Sequence, residues 1–113
     1  MNSSFSEIKL FQVRPDLIEL FEELASKMQK EQIKQQGCLG VKYMKRFYLI
    51  QEDGLPPREL TRIVKCVKYY SYWEFENKEQ YGIAIDWFFK TYFKELSKLL
   101  IMPFDINCGD TII

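Results

Sequence analysis

The sequence predicts an α+β fold in which four antiparallel strands carry two helices on one face, in the chain order β-α-β-β-α-β. Three observations predict it. Two stretches, Asp16 to Gln36 and Asn77 to Leu100, repeat apolar residues at helical spacing. Four others alternate with a period of two and are separated by turn residues. The span from Arg62 to Phe75, RIVKCVKYYSYWEF, is apolar on both alternating faces, with Ile63, Val67, Tyr69 and Trp73 on one and Val64, Cys66, Tyr70 and Tyr72 on the other. A strand wetted on one side alternates apolar and polar residues, so this strand needs cover on both. Two helices cover one face, and the other asks for a second copy of the chain.

The first strand runs from about Phe5 to Val13, with Ile8 and Leu10 alternating with Lys9 and Phe11. Arg14-Pro15-Asp16 stops it, since Pro15 suits the first turn of a helix, and Asp16 followed by Glu19 resembles a capping box. Leu17, Leu20, Phe21, Leu24 and Met28 then form an apolar stripe opposite Glu19, Glu22, Glu23, Lys27 and Lys30. The helix is expected to end near Gln36, where Gly37 suits a left-handed C-cap. After Gly40 a second strand places Val41, Tyr43, Phe47 and Leu49 on one face and Lys42, Met44, Arg46, Tyr48 and Ile50 on the other. Gly54, Pro56 and Pro57 make QEDGLPPRELT a surface loop.

The two-faced third strand ends at Glu74 or Phe75, and Asn77 offers an N-cap. A helix to Leu100 carries the stripe Ile85, Phe89, Tyr92, Leu96 and Leu99; Gly82 is expected to divide it, and Trp87, Phe88 and Phe93 lie partly off the stripe. Pro103 ends the helix. Phe104, Ile106 and Cys108 alternate with Asp105 and Asn107 as a last strand, Gly109-Asp110 reads as a turn, and Thr-Ile-Ile is left to pair with a sheet edge. This order is the ferredoxin-like split βαβ arrangement. Its uncovered face would expose roughly 800 Å² or more, above the ~300–600 Å² of the largest patch on a typical monomer. A homodimer that stacks the open sheet faces removes it from water.

At 113 residues the chain is expected to be one domain, 1–113. Sixteen basic and sixteen acidic residues cancel, which leaves no overall field for nucleic acid or an anionic membrane. The strand aromatics near Lys65 and Lys68 resemble an RNA-binding sheet, but the RNP pattern is absent. No apolar run reaches the ~20 residues of a membrane span, and MNSSFSEIKLF lacks the features of a signal peptide. Cys38, Cys66 and Cys108 are odd in number and widely spaced, which implies buried thiols in a reducing, cytoplasmic setting. Histidine is absent, which excludes His-based proton shuttles, Ser-His triads and proximal-His haem ligation and leaves no metal site to expect.

The β-α-β-β-α-β order, the Gly37-Cys38-Leu39-Gly40 turn, the Trp73-Glu74 strand ending and the Trp87-Phe88-Phe89 helix resemble the dimeric α/β-barrel superfamily. Within it the similarity is to antibiotic biosynthesis monooxygenase-like domains. The resemblance implies a homodimer without a cofactor that binds a small, flat, aromatic or apolar molecule, with oxygen chemistry in some members. Haem-degrading members resemble the chain at Trp73-Glu74. However, Tyr92 stands where they carry an iron-ligating histidine and Gly82 where they carry a tryptophan, and both departures count against haem degradation. For a cavity between helices and sheet the candidate wall residues are Trp73, Tyr69, Tyr43, Tyr92 and Trp87, with Asn107 and Arg46 as polar partners. Such groups supply donors near a developing charge in a dry pocket. A non-catalytic dimeric domain, in which the same aromatics serve packing and interface, is the alternative.

Overall fold

The computed structural model describes residues 3–62 and 65–113. Its main sheet has the order β2-β5-β1-β6, all antiparallel, built from β1 (Phe5–Val13), β2 (Cys38–Arg46), β5 (Val67–Phe75) and β6 (Asp105–Asp110). Helices α1 (Ile18–Gln32) and α2 (Lys78–Leu99) pack on one face. The expected α+β, ferredoxin-like arrangement is therefore present. A two-stranded ribbon, β3 (Tyr48–Leu49) with β4 (Arg58–Glu59), stands apart from the sheet. Tyr48 and Leu49 thus leave the second strand, which ends at Arg46, and the loop closes on itself through a bond from the Leu60 amide to the Phe47 carbonyl at 2.7 Å.

The inward face of β5 is Val67, Tyr69, Ser71, Trp73 and Phe75, all buried, whereas Tyr70 and Tyr72 lie on the open face. Cys66 precedes the strand, and Ile63 and Val64 lie outside the described residues. On the open face Tyr70 pairs with Leu10 and Met44, and Tyr72 with Ile8. Ile8 is 48% and Met44 57% exposed. Lys42, Arg46, Lys68, Gln12 and Glu74 share that face around the apolar centre.

Several boundaries differ from expectation for local reasons. Pro15–Leu17 form a 3-10 turn closed by Leu17 N–H on the Arg14 carbonyl, and no side chain caps α1, so the Asp16–Glu19 box does not form. The helix stops at Gln32, four residues short of Gln36, and 3-10-type turns lead to Gly37. Leu20 is exposed, while Phe21, Leu24, Ala25, Met28 and Gln32 are buried. Asn77 caps α2 by accepting the Gln80 amide at 2.9 Å. The helix is continuous through Gly82, and its buried stripe is Tyr81, Ala84, Phe88, Tyr92 and Leu96. Phe89 and Phe93 remain part-exposed, because α2 carries more apolar surface than one sheet contact absorbs. Gly109 and Asp110 continue β6 rather than turning, and Thr111 N–H bonds the Ser4 carbonyl at 2.8 Å.

No helix among the described residues is long and apolar enough to cross a membrane. Gly37 takes φ = +85°, and its carbonyl accepts the Glu76 amide at 2.9 Å. A Cβ there would clash with the Gln80 side chain. Gly37→Ala is therefore expected to cost ~1–3 kcal/mol, from the left-handed backbone alone. Urea unfolding checks this, and an unshifted midpoint would mean the turn tolerates the methyl.

Candidate functional site

On β1 the residues pointing toward the helices are Glu7, Lys9, Phe11 and Val13, all fully buried. Ile8 and Leu10, the apolar pair that marks the strand in sequence, point to the open face instead. The core therefore contains an ion pair. Lys9 Nζ lies 2.7 Å from Glu7 Oε2, and the Tyr81 hydroxyl donates to Glu7 Oε1 at 2.7 Å. The ammonium sits 4.8 Å from the centre of the Trp73 ring and 4.3 Å from that of Phe88, both short enough for cation–π attraction. Burial lowers the Lys9 pKa, and Glu7 partly restores it. Glu7 and Lys9 were missed in sequence, although their parity with Phe11 and Val13 was available as a signal.

The seven candidate residues separate into three places. Trp73 is fully buried against Phe75, Tyr81 and Phe88, with ring centroids 4.9, 6.2 and 6.0 Å away. Its indole N–H has no partner among the described residues. Tyr92 is 1% exposed, donates to the Glu31 carboxylate and meets the half-buried Trp87 edge-on at 5.8 Å. These three aromatics fill the space where a ligand cavity was expected. Asn107 and Arg46 lie on the opposite, open face, since Asn107 pairs with Ile8 and Arg46 with Lys68.

Tyr43 and Tyr69 come together in a groove of about 590 Å³ between α1 and the edge strand β2. Glu22, Ala25, Ser26 and Gln29 form its helical wall, and Val41, Lys42, Tyr43, Lys45 and Tyr69 its sheet wall. The Tyr69 hydroxyl donates to the Glu22 carboxylate, which also holds Lys45 at 3.2 Å. The Tyr43 hydroxyl donates to the Gln32 side-chain carbonyl. Burial raises the pKa of both phenols, assisted by Glu22 at Tyr69 and by the charge of Glu7 at Tyr43. The Tyr69 hydrogen bond lowers that of Glu22. Both tyrosines are thus neutral donors at physiological pH, in a groove of the size of small-molecule sites.

Among the described residues no cluster of three or more Cys, Asp or Glu could hold a metal. The cysteines are unpaired, as expected, but only half-buried at Cys38 and Cys66 and exposed at Cys108. The thiols are not the core hydrophobes their sequence context implies.

Two outcomes are expected. Glu7→Leu alone should destabilise by ~3–5 kcal/mol because it strands a buried ammonium, and adding Lys9→Met should recover most of the loss. An additive double variant would mean the two charges do not interact. Burial also raises the pKa of Tyr81, assisted by Glu7. Unfolded phenols ionise near pH ~10 while the folded ones keep their protons, so stability should fall as pH rises above ~10. Lys9 acts oppositely below that range, since the unfolded chain keeps the proton that the fold releases more readily. Tyr43→Phe should flatten the alkaline slope in pH-dependent denaturant unfolding, and an unchanged slope would remove the phenol from the account.

Comparison with protein-family models and with curated proteins found no match. Solved structures of the same fold are numerous. SnoaB, a cofactor-independent oxygenase from Streptomyces nogalater, superposes with a TM-score of 0.67 at 13% identity, over 98% of this chain and 95% of that one. A dimeric ferredoxin-like protein from an uncultured marine organism gives 0.68 at 12%, over 99% and 98%. An antibiotic biosynthesis monooxygenase gives 0.69 at 11%, over 96% and 99%. This chain therefore shares its ferredoxin-like α+β fold with these antibiotic biosynthesis monooxygenase-like and dimeric ferredoxin-like proteins.

Proposed function

We propose that the protein is a homodimeric, cytoplasmic binding domain that takes a small, flat, largely apolar molecule in the groove between α1 and β2. The observation that carries the reading is the contrast between two regions. The core around Trp73 and Tyr92 is filled by protein, whereas the groove has about 590 Å³ of open space beside Tyr43 and Tyr69. A ring laid against Tyr69 and Val41 would meet apolar wall, with Lys45, Ser26 and Gln29 available to orient a polar substituent.

Dimerisation is supported by the open sheet face. Ile8, Leu10, Met44, Tyr70 and Tyr72 form a contiguous apolar centre, and charged and amide side chains surround it, which is the anatomy of an interface. The dimeric ferredoxin-like neighbour agrees with this reading. Cytoplasmic placement rests on three unpaired cysteines. A second reading, cofactor-independent oxygenation in the same groove, is favoured by the shared fold with SnoaB.

Native mass spectrometry of gently purified protein tests dimerisation, binding in the groove and oxygenation. The expected species is a dimer with retained mass. Ser26→Trp, which fills the groove from its exposed rim, should keep the dimer and lose the retained mass. Met44→Glu with Tyr70→Glu should give a folded monomer. A monomeric parent protein would overturn the stacked-sheet reading, and retention undiminished in the Ser26→Trp variant would overturn the groove. Aerobic incubation that replaces two hydrogens of the released ligand with one oxygen atom, the other oxygen of O2 leaving as water with those two hydrogens, would favour oxygenation over simple binding.

A further inference from the structure

A second pocket, of about 450 Å³, lies where β2 ends and β5 begins and shares no residue with the groove. Four of its lining side chains are cationic, Arg46, Arg62, Lys65 and Lys68, and no carboxylate lines it. Arg46 and Lys68 are direct partners in the β2–β5 ladder, on the same side of the sheet. Like charges placed directly opposite each other destabilise a sheet. None of the four takes part in an ion pair among the described residues, where Lys9–Glu7, Lys45–Glu22 and Lys90–Asp86 are found. The chain has as many acidic as basic residues, so the concentration of one sign here is local and its counter-charge is not built into the pocket wall.

Two guanidinium forks and two ammonium groups match a multiply charged oxyanion better than a single carboxylate, because each fork can hold two oxygens and four cations oppose more than one negative charge. The rest of the lining narrows the class further. Phe47, Leu60 and Ile101 give the pocket an apolar side, which a bare inorganic anion would leave uncovered. We infer that this pocket binds a small phosphate monoester with an apolar substituent, its phosphate held by Arg46 and Lys68 with Arg62 and Lys65, and its substituent against Phe47, Leu60 and Ile101. The inference is independent of the groove reading, and it uses Arg46 and Lys68 at the rim of the open sheet face, outside the apolar centre of Ile8, Leu10, Met44, Tyr70 and Tyr72.

The test is calorimetric titration of the full chain with phenyl phosphate, inorganic phosphate and benzoate at low ionic strength. Phenyl phosphate is expected to saturate one site per chain, at least tenfold more tightly than either of the others, and to weaken as salt is raised. Arg46→Gln with Lys68→Gln should reduce its affinity tenfold or more. Because Arg46 is exposed, the single Arg46→Gln variant provides a folded comparison that should lose affinity in the same direction. Ser26→Trp, in the other groove, should bind like the parent. Equal affinity for the three anions, unchanged binding in the Arg46 and Lys68 variants, or loss of binding only in Ser26→Trp would overturn the proposal. Binding to phosphatidate-containing vesicles without binding of phenyl phosphate would also overturn it, by assigning the cations to a lipid surface.

Discussion

A carboxylate and an ammonium withdrawn from water on the central strand set the terms for everything packed around them. Glu7 and Lys9 are adjacent inward positions of β1 and are fully buried. Desolvating them is costly, and their mutual attraction offsets that cost only with good geometry and further hydrogen bonds. The surrounding residues meet this demand. Tyr81 occupies the second carboxylate oxygen, and Trp73 and Phe88 turn their ring faces toward the ammonium. The registers of α2 and β5 are therefore coupled to β1 through one charged cluster as well as through apolar contact. The same cluster packs the space around Trp73 among the described residues, where the lysine and the rings lie against one another.

Most of the architecture was legible because it depends on period and punctuation. Pro15, Gly37, Asn77 and Pro103 mark real boundaries within a few residues, and the alternation around Tyr69 to Phe75 groups the right residues on each face of β5 without saying which face meets the helices. What was illegible was orientation. On β1 the apolar Ile8 and Leu10 suggest an inward face, yet the charged residues point inward and the apolar ones toward the open face. The parity with Phe11 and Val13 points Glu7 and Lys9 inward, but the pattern does not show that they neutralise each other or that Trp73, Tyr81 and Phe88 complete the cluster. On α2 both sides are apolar, so periodicity cannot choose between Phe88 and Phe89, and contact with the sheet decides.

The candidate site was legible in part, for a related reason. Tyr43 and Tyr69 share the inward parity of neighbouring strands, and that parity brings them into one groove. Arg46 and Asn107 have the opposite parity, which the alternation of their own strands already showed, and only their grouping with the aromatics was mistaken. The four cations at the end of β2 and β5 could not be grouped from sequence at all. Arg46 is separated from Arg62, Lys65 and Lys68 by the whole β3–β4 ribbon, and pairing across the sheet is what assembles them.

The strand order also fixes how the molecule must assemble itself in time. β1 is flanked by β5 and β6, so that Phe5 pairs with Phe75 on one side and Asp110 on the other. Neither pairing can form until a long stretch of intervening chain has been brought back, and this closure entropy is lost before any contact repays it. Helices α1 and α2 form from local interactions, but each exposes an apolar stripe until the sheet beneath it closes. Closure around β1 is therefore the pairing of this sheet that costs most chain entropy, and a chain in which it has not formed leaves both helix stripes and a strand edge without cover.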